Sequence, residues 1–270
     1  MNETSSRMTW FALGLIALVG TALRIYGIET NSLWLDELAS LKQSSEPSLA
    51  QVIEGMRGNV HPPGWAVLLH FTQKIFGDSM TALRLPSVVA GILSVPAIFF
   101  LGRYLYSEKE GLISAAIMAV SWAPISFSHE ARAYSLLILL SIVSTHLLLL
   151  VLQGIEESKV RYRYVIAYVL VCAIGCYQHY SFVVLTVCQG LWAAFFVVRQ
   201  RQGFALLLGA YLVLLLLYVP WLREIGTDLV RESFWADKRG SLFFVHVFSF
   251  FFMKSVGFAA LPFALLLSLV

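Results

Sequence analysis

Residues 111–152 read GLISAAIMAVSWAPISFSHEARAYSLLILLSIVSTHLLLLVL, two apolar runs separated by a short charged stretch. Each run, Gly111 to Ser128 and Ala133 to Leu152, has close to the roughly 20 residues that a helix needs to cross a bilayer. The charged stretch between them leaves almost no room for a loop. The sequence therefore predicts two membrane-spanning helices joined by a tight polar turn.

The composition of the whole chain agrees with this prediction. Of its 270 residues, 59% are hydrophobic and only 13% are charged, whereas soluble domains carry about 25% charged residues. Five further apolar runs flank the first two, namely Met8–Ile25, Leu85–Gly102, Tyr164–Tyr177, Tyr180–Val198 and Gly203–Leu222. An eighth run is expected after Leu242. We predict an all-α polytopic membrane protein with about seven to eight transmembrane helices.

The short loops between alternate runs are basic, and they contain Arg103, Lys109, Lys159, Arg161, Arg163, Arg199 and Arg201. The positive-inside rule places these loops in the cytoplasm. The loops on the other side, which include 28–84 and 223–241, hold eleven of the sixteen acidic residues. We therefore expect a multi-pass protein of the plasma membrane whose polar turns gather on the extracytoplasmic face.

The segment 61–77 is apolar enough to resemble another span. His70, Gln73 and Lys74 nevertheless form one polar stripe at helical spacing. This pattern predicts a helix that lies along the membrane interface within the first outer loop. The alternative is a tilted span with one wet face.

Adjacent carboxylates open this outer loop. Asp36 and Glu37 follow Trp34 and Leu35, which would hold the loop at the membrane surface. In such a partly desolvated setting, one carboxylate of a pair can act as a general base near neutral pH. The alternative is that the two acids only start a helix, because acidic residues favour helix N-termini.

The turn from Ser128 to Tyr134 carries Glu130 and Arg132 between two spans. Ionisable groups in such a position are costly and typically mark a pathway or a binding site. Arginine suits the bidentate binding of phosphate. The alternative for Arg132 is a membrane anchor that snorkels to the interface, and Arg84 is most simply an anchor of that kind.

Two histidines are predicted on the same side. His61 precedes two prolines, which keep it extended, and His179 lies in the tight turn before Tyr180. An aromatic belt would explain the tyrosines of that turn but not His179. Imidazole and carboxylate ligands suit Zn or Mn, so His61 and His179 are also candidate ligands of a divalent metal.

The order of these motifs resembles a known family. The segments are Leu33–Glu37 (LWLDE), His61–Pro63 (HPP), Phe76–Asp78 (FGD), Arg84–Ser87 (RLPS), Leu101–Arg103 (LGR), Ser128–Tyr134 (SHEARAY) and Tyr177–Tyr180 (YQHY). Together they resemble the N-terminal module of GT-C glycosyltransferases. More narrowly, they are similar to the bacterial branch related to protein O-mannosyltransferases and lipid A aminoarabinose transferases, of the glycosyltransferase family 39 type.

The resemblance implies a GT-C-type bundle over residues 1–270 and an enzyme that moves a sugar from a polyprenyl-phosphate donor. The acceptor would be a glycan, lipid or protein hydroxyl outside the cytoplasm, with inversion at the sugar carbon. Asp36 matches the acidic position of the general base, with Glu37 in support. The candidate substrate-binding residues are His61, Arg84, Glu130, Arg132, Tyr134, His179 and Tyr180. Because family members are longer, we expect the chain to continue beyond Val270.

Two rival functions remain open from the sequence alone. A transporter or flippase of lipid-linked or small polar substrates would also place ionisable residues among helices, although here the centres of the spans are nearly free of charge. A non-catalytic membrane scaffold would tolerate changes at Asp36. Nucleic-acid binding is not expected, because no long Lys/Arg-rich run occurs.

Overall fold

The computed structural model describes residues 3–59 and 61–229, and within them it contains helices and turns but no strand. In chain order the helices are α1 (Glu3–Ile25), α2 (Leu35–Ser44), α3 (Leu49–Gly55), α4 (Gly64–Phe76), α5 (Met80–Leu105), α6 (Glu108–Val120), α7 (Trp122–Ser128), α8 (Tyr134–Glu156), α9 (Tyr162–Gln178), α10 (Tyr180–Val197) and α11 (Arg201–Leu229). The predicted all-α fold is therefore confirmed.

Five of these helices are long and apolar enough to cross a membrane: α1 from Arg7 onward, α5, α8, α10 and α11. They coincide with five of the predicted spans, so the protein is a polytopic membrane protein. The helix α9 coincides with a sixth, but its 17 residues reach only about 26 Å, slightly less than the roughly 30 Å of bilayer hydrocarbon. The predicted span after Leu242 lies outside the described residues.

The predicted span over residues 111–128 consists of two helices with a break between them. The helices α6 and α7 meet at Ser121 and differ in direction by 56°. Pro124 explains the break, because a proline ring clashes with the carbonyl group four residues earlier, here that of Val120. Taken as one bent crossing, α6 and α7 bring the number of candidate spans among the described residues to six.

Arg24, near the end of α1, fills this break. Its fully buried guanidinium donates to the carbonyl oxygens of Met118 (2.9 Å) and Ala119 (3.0 Å) at the end of α6. These hydrogen bonds replace partners that the interrupted helix cannot supply. The Arg24 carbonyl in turn accepts a hydrogen bond from His129 Nε2 at 3.1 Å. Arg24 thus connects α1 to the turn that follows α7.

The first outer loop folds into α2, α3 and α4. With 13 residues, about 20 Å, α4 is too short to cross a bilayer. Its side chains Phe71, Ile75 and Phe76 are exposed, which fits a helix lying at the membrane surface. The predicted polar stripe is wrong at His70, which is buried against α2 and donates from Nδ1 to the Ser44 carbonyl at 2.9 Å.

The central helix is α5, which packs against α1, α6 and α8. It approaches α6 most closely where two glycines meet, since a Cβ atom on Gly102 would lie 3.0 Å from the Cα of Gly111. Small residues allow such close contact between helices in a membrane. Close contact between the backbones of α5 and α6 therefore adds to the packing of apolar side chains in the core.

Polar groups divide between the two ends of this bundle. At one end, the Thr9 hydroxyl donates to Glu108 at 2.9 Å and Arg103 pairs with Glu108 at 3.2 Å. That end carries the basic loop between α5 and α6. The starts of α2, α5, α8 and α10 lie at the other end. The predicted loop 223–241 begins as helix, because α11 continues to Leu229, and the rest of that loop lies outside the described residues.

Candidate active site

Glu37 lies in the first turn of α2 and joins three segments of the chain. Its carboxylate accepts two hydrogen bonds from the Arg84 guanidinium, both at 2.9 Å, and one from the Ala131 N–H at 2.7 Å. The Trp34 N–H donates a fourth at 3.3 Å. Glu37 and Arg84 are 1% and 2% exposed. This pair fastens the first outer loop to α5 and to the turn before α8.

The remaining donors of Arg84 are also used within the protein. Nη1 donates to the carbonyl oxygens of Ile28 and Asn31. Arg84 therefore fixes the loop from inside the protein, and the expectation of an anchor at the membrane interface is wrong because the side chain is 2% exposed. Because Glu37 and Arg84 are buried and bind each other, we infer that both hold the site in place.

Asp36 is the neighbour of Glu37 but faces a different direction. Successive residues of a helix are about 100° apart, so one acid points inward while the other reaches the rim. The Asp36 side chain is 46% exposed, and its Oδ2 lies 3.8 Å from Nη2 of Arg132. The carboxylate thus has an arginine beside it and an open side toward solvent.

Arg132 is largely buried, and neutral groups hold it. Its guanidinium donates to the Ser40 hydroxyl at 3.2 Å and to Nε2 of His61 at 3.0 Å. The Tyr134 ring lies 5.8 Å from the guanidinium carbon. Because Asp36 is 3.8 Å away, its carboxylate does not form a close bidentate pair with the guanidinium. The charge therefore remains available to an anion.

The His61 and His179 rings are neighbours, with centroids 4.9 Å apart. Burial, together with the charges of Arg132 and His179, lowers the pKa of His61 to about 4. The neutral ring accepts from Arg132 at Nε2, so its proton is on Nδ1. Burial and Arg132 also lower the pKa of His179, whose Nδ1 accepts from the Ser181 N–H at 3.1 Å. Each imidazole is therefore a neutral hydrogen-bond donor.

A cleft lies beside these groups. Residues of α2, α3–α4, α8 and α9 line it: Gln43, Met56, His61, Pro62, Trp65, Ala66, Arg132, Ala133, Tyr134, Gln178 and His179. Four of the predicted site residues are among them, namely His61, Arg132, Tyr134 and His179. The polar turns that were expected to converge are thus brought together around one concave site.

The sequence of residues 60–236, about two thirds of the chain, matches the family described as dolichyl-phosphate-mannose-protein mannosyltransferase. The chain belongs to this family. No curated protein matches it. As a member of this mannosyltransferase family, the protein is a membrane glycosyltransferase of the GT-C type. Asp36 and Glu37 precede the matched range, and their contacts with Arg132 and Arg84 connect them to it.

Five predicted site residues of this family member lie outside the lining of the cleft: Asp36, Glu37, Arg84, Glu130 and Tyr180. Burial and the negative charge of Glu37 raise the pKa of Glu130 and Arg132 opposes them, so that the net pKa is about 6. The hydroxyl of Tyr180 accepts a hydrogen bond from Trp221 Nε1 at 3.2 Å and so joins α10 to α11. Glu130 is close enough to sense the charges of the site, and Tyr180 contacts α11.

The residues around His61 and His179 do not fit a divalent metal. Nε2 of His61 accepts from Arg132, whose charge opposes a cation at that nitrogen. Among the described residues, no three His, Cys, Asp or Glu side chains are grouped so that they could hold one ion. We therefore assign no step of the reaction to a metal at this place.

Gln178 is a cleft residue that the sequence analysis did not select. It is 7% exposed, and its Oε1 has no hydrogen-bond partner among the described residues. The available signal was a polar side chain between Tyr177 and His179, at the end of a helix that is otherwise apolar. Burial without a partner makes Gln178 a candidate ligand-binding residue.

Proposed function

We propose that this glycosyltransferase moves a sugar from a polyprenyl-phosphate donor to an acceptor hydroxyl, on the extracytoplasmic side of the plasma membrane, with inversion. Asp36 is the general base and Arg132 binds the donor phosphate. The observation that carries this proposal is the open pair of Asp36 and Arg132, with its 3.8 Å separation at the end of the bundle. Membership of a transferase family favours sugar transfer over lipid transport.

The chemistry of the leaving group explains the need for Arg132. A phosphate departs as an anion, and positive charge that is already in place stabilises it as the bond breaks. Ser40 and His61 fix the guanidinium from the protein side without neutralising it. A phosphate at the headgroup level of the bilayer would thus meet a preoriented cation beside the cleft.

The chemistry of the acceptor explains the need for Asp36. A hydroxyl that attacks the sugar carbon loses its proton, and a carboxylate within hydrogen-bond reach takes it. The half-exposed carboxylate of Asp36 has a free side that an acceptor can approach. Glu37 cannot replace it, because its oxygens already accept four hydrogen bonds.

The charge distribution supports an extracytoplasmic site. Arg103 and the other basic loop residues lie at the ends of helices opposite to the cleft. Loops rich in Lys and Arg remain in the cytoplasm during insertion. The cleft would then face the compartment where a lipid-linked sugar is transferred without a nucleotide.

The test is the variant Asp36→Asn, assayed for sugar transfer from a polyprenyl-phosphate hexose in lipid nanodiscs. We expect turnover to fall at least about 100-fold, because a general base contributes roughly 100- to 10,000-fold, while donor binding is retained. The matched control is Glu46→Gln, an exposed acid of the same loop, which should keep full turnover. Unchanged turnover in Asp36→Asn would remove Asp36 from the base role.

A further inference from the structure

We propose that Gln178 and His61 form hydrogen bonds with two hydroxyl groups of the donor sugar, so that the cleft selects the sugar as well as the phosphate. This inference rests on the proposed function and deepens it. It starts from two buried polar atoms that have no hydrogen-bond partner among the described residues, His61 Nδ1 and Gln178 Oε1, and that belong to residues lining one cleft.

The hydrogen-bonding roles of these two atoms are opposite. Arginine has only donors, so His61 must accept at Nε2 and carry its proton on Nδ1. Nδ1 of His61 is therefore an unused donor. Oε1 of Gln178 is an unused acceptor in a side chain that is 7% exposed. Buried polar groups without partners are unfavourable, which points to a ligand that supplies both missing bonds.

Few ligand chemistries supply a donor and an acceptor together. A phosphate offers only acceptors, so it would satisfy His61 and leave the carbonyl of Gln178 unpaired. A cation would be repelled by Arg132, and an acyl chain would leave both atoms unpaired. A sugar carries neighbouring hydroxyls, each of which donates and accepts. One hydroxyl can accept from His61 while another donates to Gln178.

The walls of the cleft suit a small polar ligand. Trp65 is 6% exposed, and its Nε1 donates to the Ala131 carbonyl at 2.9 Å, which fixes the ring in the wall. Fixed aromatic surface with a few polar groups is typical of small-molecule sites.

A glycine holds Gln178 in this position. A Cβ atom on Gly64 would lie 2.5 Å from the Tyr177 carbonyl oxygen and 2.8 Å from Nε2 of Gln178. Only glycine therefore lets the end of α9 rest on the first turn of α4. The contact keeps the Gln178 amide beside His61 and Arg132, so a sugar bound there would have its phosphate next to the guanidinium.

The experiment measures equilibrium binding to the purified protein in nanodiscs. The probes are polyprenyl-phosphate mannose, glucose and galactose, the monodeoxy analogues of the tightest of these, and sugar-free polyprenyl phosphate. We expect the wild type to prefer the intact sugar over at least one deoxy analogue by tenfold or more. Gln178→Met, of similar shape but without the amide, should abolish that preference and bind sugar-free polyprenyl phosphate normally.

Two further variants keep this test decisive. Gln178→Glu retains an acceptor oxygen and should restore the preference at least in part. Gln153→Met changes an exposed glutamine at the opposite end of the bundle and should behave as wild type. The inference would be overturned if Gln178→Met prefers the intact sugar over the deoxy analogue as strongly as the wild type does. It would also be overturned if Gln178→Met weakens the binding of sugar-free polyprenyl phosphate as much as that of the sugar-linked lipid.

The outcomes separate this inference from the proposed function. If the wild type binds sugar-linked and sugar-free lipids equally, the cleft does not recognise the sugar, but the proposal of a phosphate-bearing lipid donor is unaffected. If the wild type binds none of these lipids, the donor proposal fails, and the sugar-reading inference fails with it.

Discussion

The replacement Glu37→Gln tests whether the buried pair with Arg84 holds the site together. The glutamine has the same shape, but its amide nitrogen cannot accept the hydrogen bonds that one carboxylate oxygen now receives. It also leaves Arg84, 2% exposed, without a counter-charge. Breaking a buried ion pair in this way costs about 3–5 kcal/mol, a large part of the roughly 5–15 kcal/mol that stabilises a folded protein.

The measurement is the free energy of unfolding in detergent micelles. The exposed pair Glu54–Arg57, with side chains 69% and 57% exposed, provides the matched control. Glu54→Gln should change the unfolding free energy by about 0.5 kcal/mol or less, because exposed ion pairs contribute little. The double variant Glu37→Met/Arg84→Met should lose less than the sum of its two single variants, by about 2 kcal/mol or more, since no unpaired charge remains buried.

Two results would refute this reasoning. If Glu37→Gln unfolds like Glu54→Gln, the carboxylate does not hold a buried cation. If Glu37→Gln keeps its stability but loses turnover, then Glu37 acts on the substrate directly, as the adjacent acids in the sequence also allowed.

The remaining predictions concern Glu130 and metal dependence. Because the pKa of Glu130 is raised from its ordinary 4.5 to about 6, the folded protein binds this proton more tightly than the unfolded chain. Stability from Glu130 is therefore present below pH 4.5 and is lost as the pH rises through about 6. Glu130→Gln should remove this loss when unfolding is compared at pH 4.5 and 7. A chelator should leave sugar transfer unchanged, because His61 and His179 do not fit a metal; inactivation restored by Zn or Mn would contradict this.

The positions of the spans could be predicted because lipid restricts the backbone so strongly. Without water in the hydrocarbon, each crossing segment must form its own hydrogen bonds, and a helix does so within one apolar run. Five runs accordingly appear as α1, α5, α8, α10 and α11. The break between α6 and α7 was also marked in the sequence, by Pro124 inside the run, but run length alone does not reveal it.

Counting the membrane crossings was enough to predict that the polar turns gather on one face. It was not enough to predict which side chains pair with each other in the site. Nothing local distinguishes Asp36 from Glu37, since both are acids at one helix start. Arg84, 47 residues later, decides which acid turns inward, and this pairing depends on how α5 packs. The buried amide of Gln178 was missed for the same reason, because its lack of a partner appears only in three dimensions.

Two acid–arginine pairs of the same chemistry therefore have different properties. The pair of Glu37 and Arg84 is closed, with two hydrogen bonds of 2.9 Å and almost no exposure. The pair of Asp36 and Arg132 is open, at 3.8 Å with a half-exposed carboxylate. Because the charges of this pair are farther apart and the carboxylate reaches solvent, a phosphate can bind Arg132 and an acceptor hydroxyl can approach Asp36. The closed pair fixes the backbone of α2, from which Asp36 of the open pair projects. The two adjacent acids therefore have separate roles in one site.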